Sequence, residues 1–307
     1  MPVSDVAAPR RSAFAGPLHD LARGVLARHR EAAAYRDGTL AQPAWRSFAD
    51  RVAGELVAAG VPPGEVHFVK RYPRDPKPFV RDAVARLAAA GVLPHATWDE
   101  AAADDAASLA AAYDHDGYGT FIYPEEGLLL HALVTVLRPR ATIFLGSYYG
   151  YWAAWALPAL ARCGGCAVLV DPDPSACAVA RHNLAEYGEL ATVATATGAE
   201  FLGATRERFD LVVIDAELPR SHPDPDLAGK AVYRSLLQDA LARCAPRTHV
   251  VCHNILFNDD TGDAHLARVI ERNERELAGF RALAARELDR FVEIASTEGV
   301  GVGVRSR

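Results

Sequence analysis

The sequence predicts an α/β fold: a mostly parallel seven-stranded sheet, an antiparallel C-terminal hairpin and a helical N-terminal region. Two observations predict it. From about residue 119 onward, short apolar or β-branched runs alternate with helix-like stretches, the pattern of a parallel sheet with crossover helices. Before that point, apolar residues recur every three or four positions, as on amphipathic helices. The expected division is therefore 1–118, a helical cap, lid or dimerisation region, and 119–307, an α/β catalytic domain.

Four helices are expected in the first region. "GPLHDLARGVLARHREAAAY" and "AWRSFADRVAGELVAAG" carry the helical spacing, and Gly60 with "VPPG" stops the second. "DPKPFVRDAVARLAAAG" follows and ends at Gly91. "TWDEAAADDAASLAAAYD" opens with Thr97 and Glu100, spaced as a capping box. In the second region the expected strands are "ATIFLG", "CAVLVD", "LATVATATG", "FDLVVID" and "RTHVVCHN", with the helix "YRSLLQDALARCAP" before the fifth. "RFVEIASTEGVGVGVR" reads as two strands around a turn at the sheet edge.

Composition narrows the function classes. The 307 residues carry a net charge of −6, which argues against non-specific nucleic-acid binding. No apolar run reaches the roughly 18 residues of a membrane span, and "MPVSDVAAPRRSAFAG" lacks an apolar signal core. Five cysteines, an odd number, suit a reducing compartment. The expectation is a cytoplasmic protein acting on a small-molecule substrate, with no nucleic-acid or membrane partner and with room for a homodimer. Cys163 and Cys166 form a lone C-x-x-C pair, read as thiols beside a strand.

Ligands of open α/β sheets bind at the carboxyl ends of the strands. The first strand ends in Gly146-Ser147-Tyr148-Tyr149-Gly150, and the second ends in Asp171, a carboxylate placed to accept ribose hydroxyls. Gly198-Ala199-Glu200 follows the third strand and Asp215 ends the fourth. The G-x-x-x-G spacing with two bulky tyrosines leaves poor room for pyrophosphate. A ligand with ribose and adenine but no phosphates fits better, which describes S-adenosylmethionine.

These residues resemble the class I methyltransferases, with their Rossmann-like sheet, and among them the catechol O-methyltransferase-like small-molecule enzymes. "LGSYYGYWA", "VLVDPDPSACAVARHNL", "TATGAEFL", "FDLVVIDAE", "VVCHNILF" and "STEGVGVGVR" stand in the family's order over residues 119 to 307. The resemblance implies that Gly146, Ser147, Tyr148, Tyr149 and Gly150 line the methionine and ribose. It implies that Asp171 binds the ribose, that Pro172, Gly198, Ala199 and Glu200 flank adenine, and that Asp215 lies near the sulfonium. "YGTFIYPEEG" stands where the family covers the cofactor, making Tyr118, Tyr123, Glu125 and Glu126 pocket candidates. A polar linker with a helix cap is the other reading of that segment. The implied activity is methyl transfer to an O or N nucleophile in small-molecule biosynthesis. The alternatives are aminocarboxypropyl transfer, cyclisation to azetidine-2-carboxylate with release of methylthioadenosine, or a non-catalytic binding relative.

Three positions depart from the family. Phe144 replaces a common Glu, and Leu218 stands where metal-dependent members place a lysine. His253-Asn254 replaces an Asp-Asn pair. His253 is read as a general base, as a loop residue, or, with Asp215 and Asn254, as part of a site for a softer divalent metal. The catalytic candidates are thus His253, Asp215 and Tyr148. A Tyr148 face toward the sulfonium would add about 0.5–2 kcal/mol of cation–π stabilisation. Trp152 and Trp155, three apart on the next helix, are read as packing residues. Pro158 should kink or shorten that helix. Asp259, Asp260 and Asp263 read as a solvated loop and helix start.

Overall fold

The structure, a computed structural model, describes residues 17–37, 39–63, 66, 75–255 and 264–306. Asp259, Asp260 and Asp263 lie outside the described residues. Among them, three helices come first: α1 (Pro17–Leu26), α2 (Arg30–Arg36) and α3 (Gln42–Ala58). The first expected helix is thus two, broken at residues 27–29. Gly60 ends α3 as anticipated, with φ of 104°. These helices bury their own cluster, with Trp45 stacked on Tyr35.

α4 (Pro76–Ala89) is capped by Asp75, whose side chain accepts the Lys77 N–H. α5 (Ala103–Ala111) starts later than "TWDE" suggested. The Thr97–Glu100 box does not form. Asp99 accepts the N–H groups of Ala101 and Ala102, while Glu100 pairs with Arg81. An ion pair to another helix has taken the glutamate that a local cap would have used.

The rest follows the expected alternation: α6 (Pro124–Leu137), β1 (Ala141–Leu145), α7 (Tyr151–Cys163), β2 (Cys166–Asp171), α8 (Pro174–Asn183), β3 (Ala191–Thr195), α9 (Gly198–Ala204), β4 (Phe209–Ile214), α10 (Val232–Leu241), β5 (Cys244–His253), α11 (Ala264–Glu287), β6 (Arg290–Ile294) and β7 (Val300–Arg305). The sheet order is β3-β2-β1-β4-β5-β7-β6. β1 to β5 are parallel, and β7 enters antiparallel between β5 and β6. The order reverses between β1 and β4, so their carboxyl ends flank the crevice where such sheets bind ligands.

Strand periodicity sorts side chains onto two cores. Phe144, Leu169, Leu211, Val213 and Val251 face a cluster built with α4 to α8. Ile143, Leu145, Val212, Ile214 and Val250 face one built with α10 and α11. Phe144 is thereby a core residue, 2% exposed. The grammar change near residue 118 is not a packing boundary, because α4 and α5 share the first core with the sheet.

α6 is buried from Glu125 through Val134. Such an all-round apolar helix needs cover on every side, and α4 and α7 supply it. Gly127 makes the α6–α7 contact close: a Cβ there would lie 2.3 Å from the Trp155 indole. α7 runs five residues beyond Pro158, so the proline does not shorten it. All five cysteines are free thiols, and Cys163 and Cys166 point at the Pro139 and Arg140 carbonyls. No helix among the described residues is long and apolar enough to cross a membrane.

Candidate functional site

The turn after β1 is shaped by backbone geometry. Gly146, Tyr148 and Gly150 have φ of 78°, 50° and 85°. Glycine adopts this left-handed region freely, whereas tyrosine is held there against its preference. What holds it is Asp171 at the end of β2. One carboxylate oxygen accepts the Tyr148 N–H at 2.7 Å and the other accepts the Asp173 N–H at 3.0 Å. Burial pushes the Asp171 carboxyl upward, and the two backbone donors partly offset this. Each oxygen retains a second lone pair for a ligand hydroxyl.

Gly146 also brings the turn against the end of β4. A Cβ there would lie 2.5 Å from the Ala216 Cα. The glycine turn, Asp171 and Asp215 therefore share one crevice. The Ser147 hydroxyl is buried beside it with no protein partner. An orphaned donor and a carboxylate with free lone pairs, on an open turn, fit a ribose-bearing ligand.

The tyrosines near this turn divide by burial. Tyr149, 1% exposed, pairs its hydroxyl with His115 Nδ1 at 2.8 Å, and its carbonyl accepts the Tyr113 hydroxyl. Gly150 is packed under that Tyr113 hydroxyl. Tyr149 thus ties the turn to the segment after α5. Tyr148 is 39% exposed and meets Tyr118 edge-to-face at 5.2 Å. Burial and then Tyr118, Asp173 and Asp171 push its phenol up to about 12, so it stays neutral at pH 7. Its ring stands on the Asp171–Asp173 side of the turn. Tyr123 is buried at the N-cap of α6 and its N–H donates to Glu126 Oε2.

Across β3, Thr197 and Glu200 cap α9 reciprocally, and Glu200 is exposed. Pro172 and Ala199 are exposed, and Gly198 packs under Leu236. The Ala196 N–H donates to the Asp171 carbonyl, which sets this turn beside the end of β2.

The second half of the site is a row of charges. His253 ends β5 with no exposure; its Nε2 lies 3.0 Å from Glu126 Oε2 and its Nδ1 lies 3.3 Å from Asp215 Oδ2. The second contact is close but not aligned as a hydrogen bond. The Trp152 ring lies 4.9 Å from the imidazole. Burial alone would lower the His253 pKa, but Asp215 and Glu126 outweigh it and raise it to about 9. For Asp215, burial opposes ionisation, yet His253 and Lys230 hold it down at about 2. At neutral pH the imidazolium form of His253 is favoured, lying between Asp215 and Glu126.

Glu126 also accepts the Ser296 hydroxyl and the Glu298 N–H, both at 2.6 Å, tying the β6–β7 turn to the site. Glu125 binds the Thr297 hydroxyl, and burial and then Glu126 push its carboxyl up to about 8. Asn254 adopts φ of 63°, and its carbonyl accepts from Asn273. Among the described residues, no group of three or more His, Cys, Asp or Glu is arranged to hold a metal ion.

Sequence reasoning missed Lys230 and Tyr233. The Lys230 ammonium lies 3.4 Å from Asp215 Oδ1 and 3.3 Å from the Tyr233 hydroxyl, which donates to the His253 carbonyl at 2.9 Å. Composition held one signal for it: only three of the chain's 33 basic residues are lysines.

Residues 143–255 match the family model described as a methyltransferase domain. No curated protein matches the chain. An SAH-bound methyltransferase of Podospora anserina shares 15% identity, over 74% of this chain and 96% of its own, with a TM-score of 0.53. The O-methyltransferase TomG of Streptomyces achromogenes, involved in tomaymycin synthesis and solved with SAM, shares 20% identity over 76% and 99%, at 0.47. An O-methyltransferase of Bacillus cereus, solved with SAH, shares 20% over 67% and 92%, at 0.46. The likeness to the Podospora protein is one of fold.

Proposed function

We propose that the chain is a class I S-adenosylmethionine-dependent methyltransferase that methylates an oxygen or nitrogen nucleophile of a small molecule; residues 143–255 match a methyltransferase domain. One observation carries the reading. The segment matching a methyltransferase domain holds the glycine turn, Asp171 and Asp215 around one crevice. S-adenosylmethionine supplies the methyl group on a sulfonium, a leaving group that needs no further activation.

The chain's residues do the orienting. Gly146 to Gly150 and Asp171 hold the nucleoside end, Ser147 offers a donor toward the methionine arm, and Asp215 marks the acceptor side. The nucleophile's lone pair forms the new bond to the methyl carbon as the C–S bond breaks and its pair returns to sulfur. Holding the two partners in line is worth about 7–11 kcal/mol. In this reading His253 orients Asp215 and does not act as the base, because its cationic form is favoured at neutral pH. An acceptor that ionises readily, such as a phenol, or an amine that sheds its proton after transfer, suits such a site. The charged, protein-bound imidazolium also supports weighting His253 as a fixed electrostatic element over a metal ligand.

Free thiols throughout support a cytoplasmic setting. The separate core of α1 to α3 supports treating them as the cap or dimer element, with the catalytic unit beginning at α4. The test is incubation with S-adenosylmethionine and a panel of phenols and amines, with the cofactor product identified by mass. S-adenosylhomocysteine is expected. Methylthioadenosine would replace this reading with aminocarboxypropyl transfer or cyclisation.

A further inference from the structure

Lys230 is 2% exposed in a chain whose cations are overwhelmingly arginine. Burying an ammonium is costly unless it is paired and hydrogen-bonded. Two elements hold it in place. Its backbone N–H donates to Glu276 Oε2 on α11 at 2.8 Å. Gly229, at φ of 59°, lies so close to that carboxylate that a Cβ would sit 2.4 Å from it. Leu218 and Gly229 exchange backbone hydrogen bonds, closing the β4–α10 loop at its base. The ammonium is thereby aimed at Asp215 Oδ1, with Tyr233 beside it and Glu217 at 3.9 Å.

The result is an alternating row: Lys230, Asp215, His253, Glu126. Both His253 nitrogens face carboxylates, and Asp215 directs one oxygen to Lys230 and Tyr233 and the other toward His253. A divalent ion at Asp215 and His253 needs a free carboxylate lone pair and a bare imidazole nitrogen. Asp215 already carries the Lys230 ammonium on Oδ1, His253 Nε2 already faces Glu126, and among the described residues no group of three His, Cys, Asp or Glu is arranged around an ion, so the set does not fit a metal.

We infer that Lys230 and His253 are built-in cations balancing Asp215 and Glu126 where a divalent metal would otherwise be held, and that Lys230 is a positioning residue fixing Asp215 at the crevice. The inference rests on the methyltransferase reading. It places the proposed transfer among metal-independent ones.

The experiment uses the full chain and S-adenosylhomocysteine as the binding probe, followed by calorimetry. Wild-type affinity is expected to be the same in chelator and in added Mg²⁺ or Mn²⁺, and free Mn²⁺ is expected to keep its spin-resonance signal. Lys230→Met should weaken the probe about tenfold, the loss of one charge-assisted contact relayed through Asp215, and Lys230→Arg should recover part of it. Should Lys230→Met fail to fold, Tyr233→Phe, which removes only the hydroxyl, should give a smaller loss in the same direction. Metal-dependent wild-type binding, or wild-type affinity in Lys230→Met or in that Tyr233→Phe variant, overturns the inference while leaving the methyltransferase reading intact. Absence of wild-type binding with and without metal overturns that reading itself.

Discussion

Asp171→Asn tests the link between turn and cofactor most directly. The carboxylate accepts two backbone N–H groups, from Tyr148 at 2.7 Å and Asp173 at 3.0 Å. An amide has one acceptor oxygen, so its NH₂ must face one of those donors. Leaving one buried donor unsatisfied costs about 1–3 kcal/mol. At about 2–4 °C per kcal/mol for a chain of this class, Tm should fall by several degrees. On the ligand side, the ribose loses a charge-assisted partner worth about 1.5–3 kcal/mol, a weakening of roughly tenfold to more than a hundredfold. Calorimetric titration with S-adenosylhomocysteine and thermal unfolding read the two effects separately. A lowered Tm with unchanged affinity would make Asp171 a turn residue alone and refute the ribose assignment. An unchanged Tm would refute the interlock with Tyr148.

Two further outcomes are expected. Ser147→Ala should leave Tm within about 1 °C, because its hydroxyl has no protein partner, yet weaken S-adenosylhomocysteine by about two- to tenfold, the worth of one neutral hydrogen bond; calorimetry reads it. Stability should fall as pH rises. Glu125 is raised from 4.5 to about 8 by burial and Glu126, so its stabilising protonated form is complete below 4.5 and lost through 8. His253, raised from 6.5 to about 9 by Asp215 and Glu126 against its burial, loses its contribution as pH rises through 9. In thermal unfolding across this range, Glu125→Gln should flatten the decline below pH 8 and leave the part near 9.

The α/β architecture was legible because it depends on local patterns. Short apolar or β-branched runs marked all seven strands, and Gly60 and Gly91 marked helix ends. The glycine turn and Asp171 were legible for a related reason: they stand at strand ends, where a parallel sheet gathers its ligand contacts. The Thr97–Glu100 box misled because Arg81, sixteen and nineteen positions earlier, competes for Glu100. The break at residue 118 reflects a change of sequence pattern, whereas packing places α4 and α5 in the sheet's core, because their own sequence looks like that of any amphipathic helix.

The aromatic excess of "SYYGYWAAW" illustrates the same divide. Its glycines and its placement after β1 follow from the sequence. Which ring does what does not: Tyr149 became a buried tie, Tyr148 stayed exposed by Asp171, Trp152 lay against His253, and Trp155 filled the space that Gly127 leaves. His253 shows it most sharply. The sequence by itself determined that an imidazole would stand at the end of β5, beside the acid of β4. Only the tertiary structure decided its charge, by bringing Glu126 from 127 positions away and Lys230 onto Asp215. Strand ends are fixed by neighbours in the chain, whereas a pKa is fixed by whatever charges the fold places within a few ångströms, and these come from any part of it.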